Sequence, residues 1–305
     1  MLGNSKKIKK QTMNDNLLNQ ITPFIKLARF DRPVGFMLLF WPCMWSLLLY
    51  SLYTEQPVPI SFFVLFFIGS IIMRGAGCTW NDFLDKEYDK NVSRTKDRPL
   101  ASNKIKTINA LVFLLVQLLI GLLILVQFNK LTIIIGSLAL IPVFIYPLMK
   151  RVTWWPQIFL GITFNWGALL GWLSLSNDFS SIYPILLYLA CIFWTVGYDT
   201  IYAHQDKDDD IVLNLKSSAI KLGENTKNAL LIFYAIFFII FAVILFSLSN
   251  SIIIHLAILS LLIHLVFQII YLDIDNSDRC LKIFKSNNLL GLQISFFLIL
   301  ELVIN

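Results

Sequence analysis

Apolar runs long enough to cross a bilayer recur down this chain, and polar breaks of very unequal length separate them. The runs fall at about 34–53, 60–80, 108–128, 131–149, 154–175, 181–202, 228–249, 251–272 and 287–304. Each is near the ~20 residues that a helix needs to span the hydrocarbon core. The pattern predicts an all-α, polytopic membrane protein of nine transmembrane helices. The run at 251–272 carries His255 and His264, and the last run is short.

Basic residues sort the breaks into two sets. Segments 1–33, 81–107, 150–153, 203–227 and 273–286 hold 23 Lys and Arg; the alternate breaks hold Lys130 alone, and Arg74 lies inside a run. Bases concentrate on the cytoplasmic side of a membrane, so the N-terminus is expected inside and the C-terminus outside. Odd and even breaks stay this distinct only if no span has been missed or invented.

Composition agrees. Hydrophobic residues make up 57% of the chain and charged ones 14%, against roughly 25% charged in soluble domains. The net charge of +6 is explained by topology, which removes the argument for nucleic acid. The four cysteines are scattered, with no CxxC pair, so neither a disulfide framework nor a zinc site is expected. Residues 1–23 read as a polar, basic N-terminal segment, and 24–305 as a single transmembrane domain. No apolar core with a cleavage site follows the opening lysines, and residues 1–20 contain no Arg. A bacterial inner (plasma) membrane is therefore expected, with the mitochondrial inner membrane as the alternative.

The two long inner breaks carry the candidate chemistry. In the first, Asn81, Asp85 and Asp89 are spaced i, i+4, i+8, with Asp82 beside them. In the second, Asp206 and Asp210 repeat the i, i+4 spacing, and Asp199 and Tyr202 extend that stripe into the preceding span. On a helix such residues share a face, where like charges repel unless a cation sits between them. All the ligands are oxygens, which select a hard ion, and Mg²⁺ completes its shell with water and substrate phosphate. Arg94, Arg98, Lys150, Arg151 and Lys216 lie on the same side, with Tyr146 beside the Lys150-Arg151 pair, and suit phosphate oxygens. Arg74, two turns above Asn81, reads as a side chain snorkelling to the interface. An acid-lined ion path would place carboxylates deep in several spans. Here they gather at one face, which counts against a cation transporter, and an inert scaffold leaves the matched spacing without a cause.

These residues resemble the UbiA superfamily of intramembrane prenyltransferases. Its first signature, NDxxDxxxD, is matched by Asn81, Asp82, Asp85 and Asp89, and its second, DxxxD, by Asp206 and Asp210. The stretches RFDRPVGFMLLFWPCMWSL (29–47), MRGAGCTWNDFLDKEYDKNVSRTKDRPLAS (73–102), YPLMKRVTWWPQIFLG (146–161) and YDTIYAHQDKDDD (198–210) are similar to its 4-hydroxybenzoate polyprenyltransferase branch. One departure is Asn214, where relatives commonly have glycine.

The resemblance implies helices around a central, lipid-accessible cavity capped by the acidic loops. It implies that Asn81, Asp85, Asp206 and Asp210, with Asp82 and Asp89 nearby, hold Mg²⁺ on a polyprenyl diphosphate whose tail lies against membrane lipid. It also implies an aromatic acceptor, 4-hydroxybenzoate, prenylated ortho to its hydroxyl in ubiquinone biosynthesis. A naphthoate, homogentisate or haem acceptor is the alternative. Asp85 and Asp206 are the expected catalytic carboxylates, and Asp199 is a candidate for the released proton. Arg29, Arg32 and Arg151 are left as candidates for the acceptor carboxylate, with Tyr202 beside them.

Overall fold

A computed structural model describes residues 20–92 and 94–305, and these contain helices and connecting turns with no strand. Nine helices among them are long and apolar enough to span a membrane: α1 Pro33–Thr54, α2 Ile60–Leu84, α3 Thr107–Leu125, α4 Lys130–Val152, α5 Pro156–Ser176, α6 Tyr183–Ala203, α7 Ser218–Leu248, α8 Ile252–Tyr271 and α9 Ser277–Ile304. All nine expected spans are therefore present, with different ends. The last helix begins ten residues before its apolar run, because its first turns carry Arg279, Lys282 and Lys285. The seventh opens with a polar turn and a 3₁₀ step at Gly223–Asn225. Most of the expected N-terminal segment, residues 1–19, lies outside the described residues.

Local chemistry sets the ends. Pro33 occupies the first turn of α1, where its missing N–H costs nothing. Side chains cap four helices, Asn129 accepting from the Thr132 N–H (2.9 Å), Ser217 from Ile220 (3.4 Å), Ser251 from Ile254 (3.2 Å) and Asn276 from Arg279 (2.9 Å). Each satisfies a donor that the helix start would otherwise leave bare.

The packed block is made by α1 and α5–α9. At its centre Trp45, Trp194, Phe237 and Phe241 are almost wholly buried, with the Trp45 and Trp194 rings 5.0 Å apart. The indole N–H of Trp45 donates to the Gly291 carbonyl (3.3 Å) and that of Trp194 to Asn287 Oδ1 (2.8 Å). These bonds tie α1 and α6 to α9 and pair both of these buried indole donors. By contrast α3 and α4 turn Leu115, Leu123, Ile141 and Ile145 outward, as helices facing lipid do. The space between them and α1, α2 and α5 is a central cavity.

A small second core lies at the inner end. Leu27, Leu100, Ile105 and Ala110 pack with Phe24, Phe83 and Phe113. This cluster holds the helical residues 20–27 and the 81–107 loop against the ends of α2 and α3, which fixes the first acidic run beneath the cavity.

Candidate active site

The first acidic run crosses a helix break without losing its register. α2 ends at Leu84, and a short helix, Lys86–Asp89, follows Asp85. The Asp85 N–H still donates to the Asn81 carbonyl (2.9 Å) and the Asp89 N–H to that of Asp85 (2.8 Å). The i, i+4 spacing is thus preserved, and Asn81, Asp85 and Asp89 line one cleft. Asp85 is fully buried, held by Lys150 and by Arg151 Nη2 at 3.1 Å. Arg151 also donates to the Leu84 carbonyl (3.0 Å) and lies 4.7 Å over the Tyr88 ring. Asp89 accepts from Arg98 at 2.8 Å. Asp82 faces the larger cavity instead, buried between Arg29 (2.8 Å) and Arg98 (3.1 Å).

The second run is also broken, by a turn at 204–206. α6 ends at Ala203, and Asp206 heads the short helix Lys207–Val212. Asp199, Tyr202, Asp206 and Asp210 nevertheless line the same cleft. Both Asp206 oxygens accept from the Arg94 guanidinium, which also reaches the Tyr202 hydroxyl (3.2 Å). Asp210 makes no ion pair among the described residues. Burial, reinforced by Asp206 and opposed by Lys150 and Arg94, pushes its carboxyl up to about 7. Burial also raises Asp89, against the pull of Arg98. Lys216 is fixed by its backbone N–H on the Lys150 carbonyl (2.8 Å), and its ammonium donates to the Val152 carbonyl (3.0 Å).

Asn214, the departure from glycine, sits at a turn of the second loop. It takes φ 55°, in the left-handed region that asparagine tolerates better than most residues. The chain then returns, with the Leu215 N–H on the Asp210 carbonyl at 2.8 Å.

The polar cleft, about 200 Å³, opens into a cavity of about 500 Å³ whose walls are mostly apolar, with leucine and glycine the commonest residues. Asn81, Arg98, Tyr146 and Tyr202 belong to both. Just inside the apolar cavity sits Arg74. Its guanidinium carbon lies 5.0 Å from the Phe164 ring centre, and its buried Nε has no hydrogen-bond partner among the described residues. Gly35 makes room for it, since a Cβ there would stand 2.6 Å from Nε. Arg74 therefore lines the cavity and does not snorkel. Among the described residues it has no carboxylate partner, a costly state within a membrane unless a ligand supplies one. The only sequence signal for it was a charge inside an apolar run. The three arginines expected at the acceptor differ from it. Arg32 is 70% exposed beside Asp31 and lines neither cavity, while Arg29 and Arg151 already hold Asp82 and Asp85.

Among the described residues no three or more His, Cys, Asp or Glu side chains converge tightly enough to cage a metal by themselves. The donors facing the cleft are an amide and carboxylates on both walls. That set fits Mg²⁺, which takes one or two carboxylates and leaves the rest of its octahedron to water and phosphate.

The sequence profile of the UbiA prenyltransferase family matches residues 39–296. The chain is 46% identical over 285 residues to the mitochondrial 4-hydroxybenzoate polyprenyltransferase of Drosophila melanogaster, covering 93% of this chain and 72% of the relative. It is 40% identical over 288 residues to the human protein of the same name, covering 94% and 77%. Among solved structures, a UbiA homolog from Aeropyrum pernix K1 superposes with a TM-score of 0.73 at 22% identity, covering 88% of this chain and 97% of that one. A UbiA homolog from Archaeoglobus fulgidus bound to DMAPP and Mg²⁺ gives 0.66 at 16% identity, covering 92% and 99%. At these identities the structures establish the shared fold.

Proposed function

This chain belongs to the UbiA prenyltransferase family, and on that premise we propose that it transfers a polyprenyl group from its diphosphate to 4-hydroxybenzoate. The new bond forms at the ring carbon ortho to the hydroxyl, a step of ubiquinone biosynthesis. The observation that carries this reading is the junction of the two cavities. A cleft of carboxylates and bases meets an apolar groove, and Arg74, which makes no ion pair among the described residues, stands beside the join.

The reaction breaks the bond between the first prenyl carbon and the diphosphate oxygen, and the electron pair leaves with the diphosphate. The ring carbon supplies the electrons of the new C–C bond and then loses its proton. Asn81, Asp85, Asp206 and Asp210 would hold Mg²⁺, with Asp89 in reach; Asp82 orients Arg29 and Arg98. When bound, the metal supplies positive charge to the departing diphosphate. Arg94, Lys150 and Lys216, which line the cleft, add donors to the same oxygens, while Arg151, which lines neither cavity, holds Asp85 in place. Arg74 binds the acceptor carboxylate and so turns the phenol ring toward the junction. Tyr146 and Tyr202 wall the reacting carbon, and Asp199 takes the ring proton. The apolar groove keeps water from the electrophilic prenyl carbon. A panel of acceptors tests the assignment: 4-hydroxybenzoate should be prenylated in preference to a dihydroxynaphthoate or homogentisate, and the reverse order would move the chain to another acceptor.

Asp210 gives the metal requirement a pH dependence. With its carboxyl titrating at about 7, a proton competes with Mg²⁺ below that pH and not above it. The Mg²⁺ concentration for half-maximal activity should therefore be roughly ten-fold higher at pH 6 than at pH 8. In Asp210→Asn the ratio should collapse toward one. An unchanged ratio in that variant would remove Asp210 from the metal site.

The membrane is proposed to be a bacterial inner membrane. The mitochondrial names of the relatives favour the mitochondrial inner membrane as the second reading. In either, the basic loops face the compartment that holds the N-terminus. A reporter fused after Asn305 should be read on the opposite face from the 81–107 loop, and a signal on the same face would contradict this orientation.

A further inference from the structure

We propose that the stacked Phe66–Phe128 pair is the floor of the groove and sets how many isoprene units of the donor the protein grips. The inference rests on the prenyl-transfer reading above. Asn81, Gly77, Met73, Gly69 and Phe66 follow one another along the cavity wall of α2. Phe66 is 7% exposed, and the Phe128 ring, arriving from beyond the end of α3, lies 4.8 Å from it at 28°. Phe62 backs the pair at 5.5 Å from Phe128 and does not line the cavity. The apolar space thus ends against three rings.

Its length follows from helix geometry. Fifteen residues separate Asn81 from Phe66, a rise of about 22 Å. An extended isoprene unit spans roughly 5 Å by ordinary bond geometry. About four units fit between the diphosphate cleft and the floor. Carbons beyond them lie among lipid tails, which are as apolar as the protein wall, so they add little to binding. Discrimination between donors should therefore rise with each unit up to four and level off beyond.

The test is a competition. Detergent-solubilised full-length protein receives an equimolar mixture of diphosphates of two, three, four, six and eight units with 4-hydroxybenzoate and Mg²⁺, and product ratios report relative kcat/KM. An increase of about 3-fold or more per unit is expected up to four units, since each buries further methylenes, with little change from six to eight. Phe66→Ala should move the break to five or six units. Gly69→Leu should move it to about three, because that side chain enters the groove three residues nearer Asn81, where a Cβ meets only Ile124 at 3.7 Å. A rise continuing through eight units, or a break that stays at four in both variants, would overturn the floor while leaving prenyl transfer intact. No transfer of any donor would overturn the prenyl-transfer reading, and this one with it.

Discussion

Asp206→Asn should lower prenyl transfer by about 10³-fold or more, at unchanged levels of protein in the membrane. Two effects act together. The amide is a poor ligand for a hard divalent ion, so one wall of the cleft loses its charge. Arg94, now held by both Asp206 oxygens, loses the partner that aims it across the cleft. Losing one preorganised donor to a developing oxyanion already costs about 10²–10³-fold. Asparagine keeps the shape and one acceptor for Arg94, so a folding defect is not expected. Product formation in membranes, with immunodetection of the protein, measures this. Activity within a few-fold of the native chain would remove Asp206 from the metal site.

Arg74→Leu should raise the KM for 4-hydroxybenzoate by about 100-fold, the worth of a desolvated charge-assisted pair. The KM for the prenyl diphosphate should move little. Arg74 has no carboxylate partner among the described residues, and its Nε is buried without one. Leucine therefore removes an unsatisfied donor from the cavity, and thermal stability should hold or rise. A lysine in its place should rescue poorly, because a point charge cannot match the two oxygens of a carboxylate as a planar guanidinium does. An uncharged acceptor analogue, such as 4-hydroxybenzamide, should lose far less than 4-hydroxybenzoate in the leucine variant. A rise in KM for the diphosphate alone would place Arg74 at the donor instead.

The spans were legible because a bilayer demands long apolar runs and places bases on one side, and both constraints are written locally. Where the demand lapses, the sequence was mute. The first ten residues of α9 are helical yet amphipathic, burying Cys280 and Ile283 while Arg279, Lys282 and Lys285 face out, and so form no continuous apolar run. The acidic stripes were legible as spacing, but the breaks at Asp85 and at 204–206 were not. They depend on the turn geometry that lets Asn81, Asp85 and Asp89 on one side, and Asp206 and Asp210 on the other, line one cleft. Ion pairing was hidden for another reason. Arg94 and Asp206 are 112 residues apart, and only the packing of α2 and α6 against α1 brings their loops together. Arg74 shows the limit most clearly. A charge in an apolar run was visible, but whether it reaches for the interface or lines a cavity depends on which face of α2 meets α1 and α5. Asn214 was a departure from glycine visible in the sequence, but its left-handed φ was not.

The most direct measurement of the central claim is product formation by membranes carrying the full chain, supplied with a four-unit prenyl diphosphate and labelled 4-hydroxybenzoate. It is run with Mg²⁺, with EDTA, with EDTA followed by excess Mg²⁺, and in parallel with Asp85→Ala. A prenylated hydroxybenzoate made by the native chain, lost with EDTA, restored by Mg²⁺ and absent from the variant is the expected result. Product that persists in EDTA or in Asp85→Ala would contradict a metal-held diphosphate at this cleft.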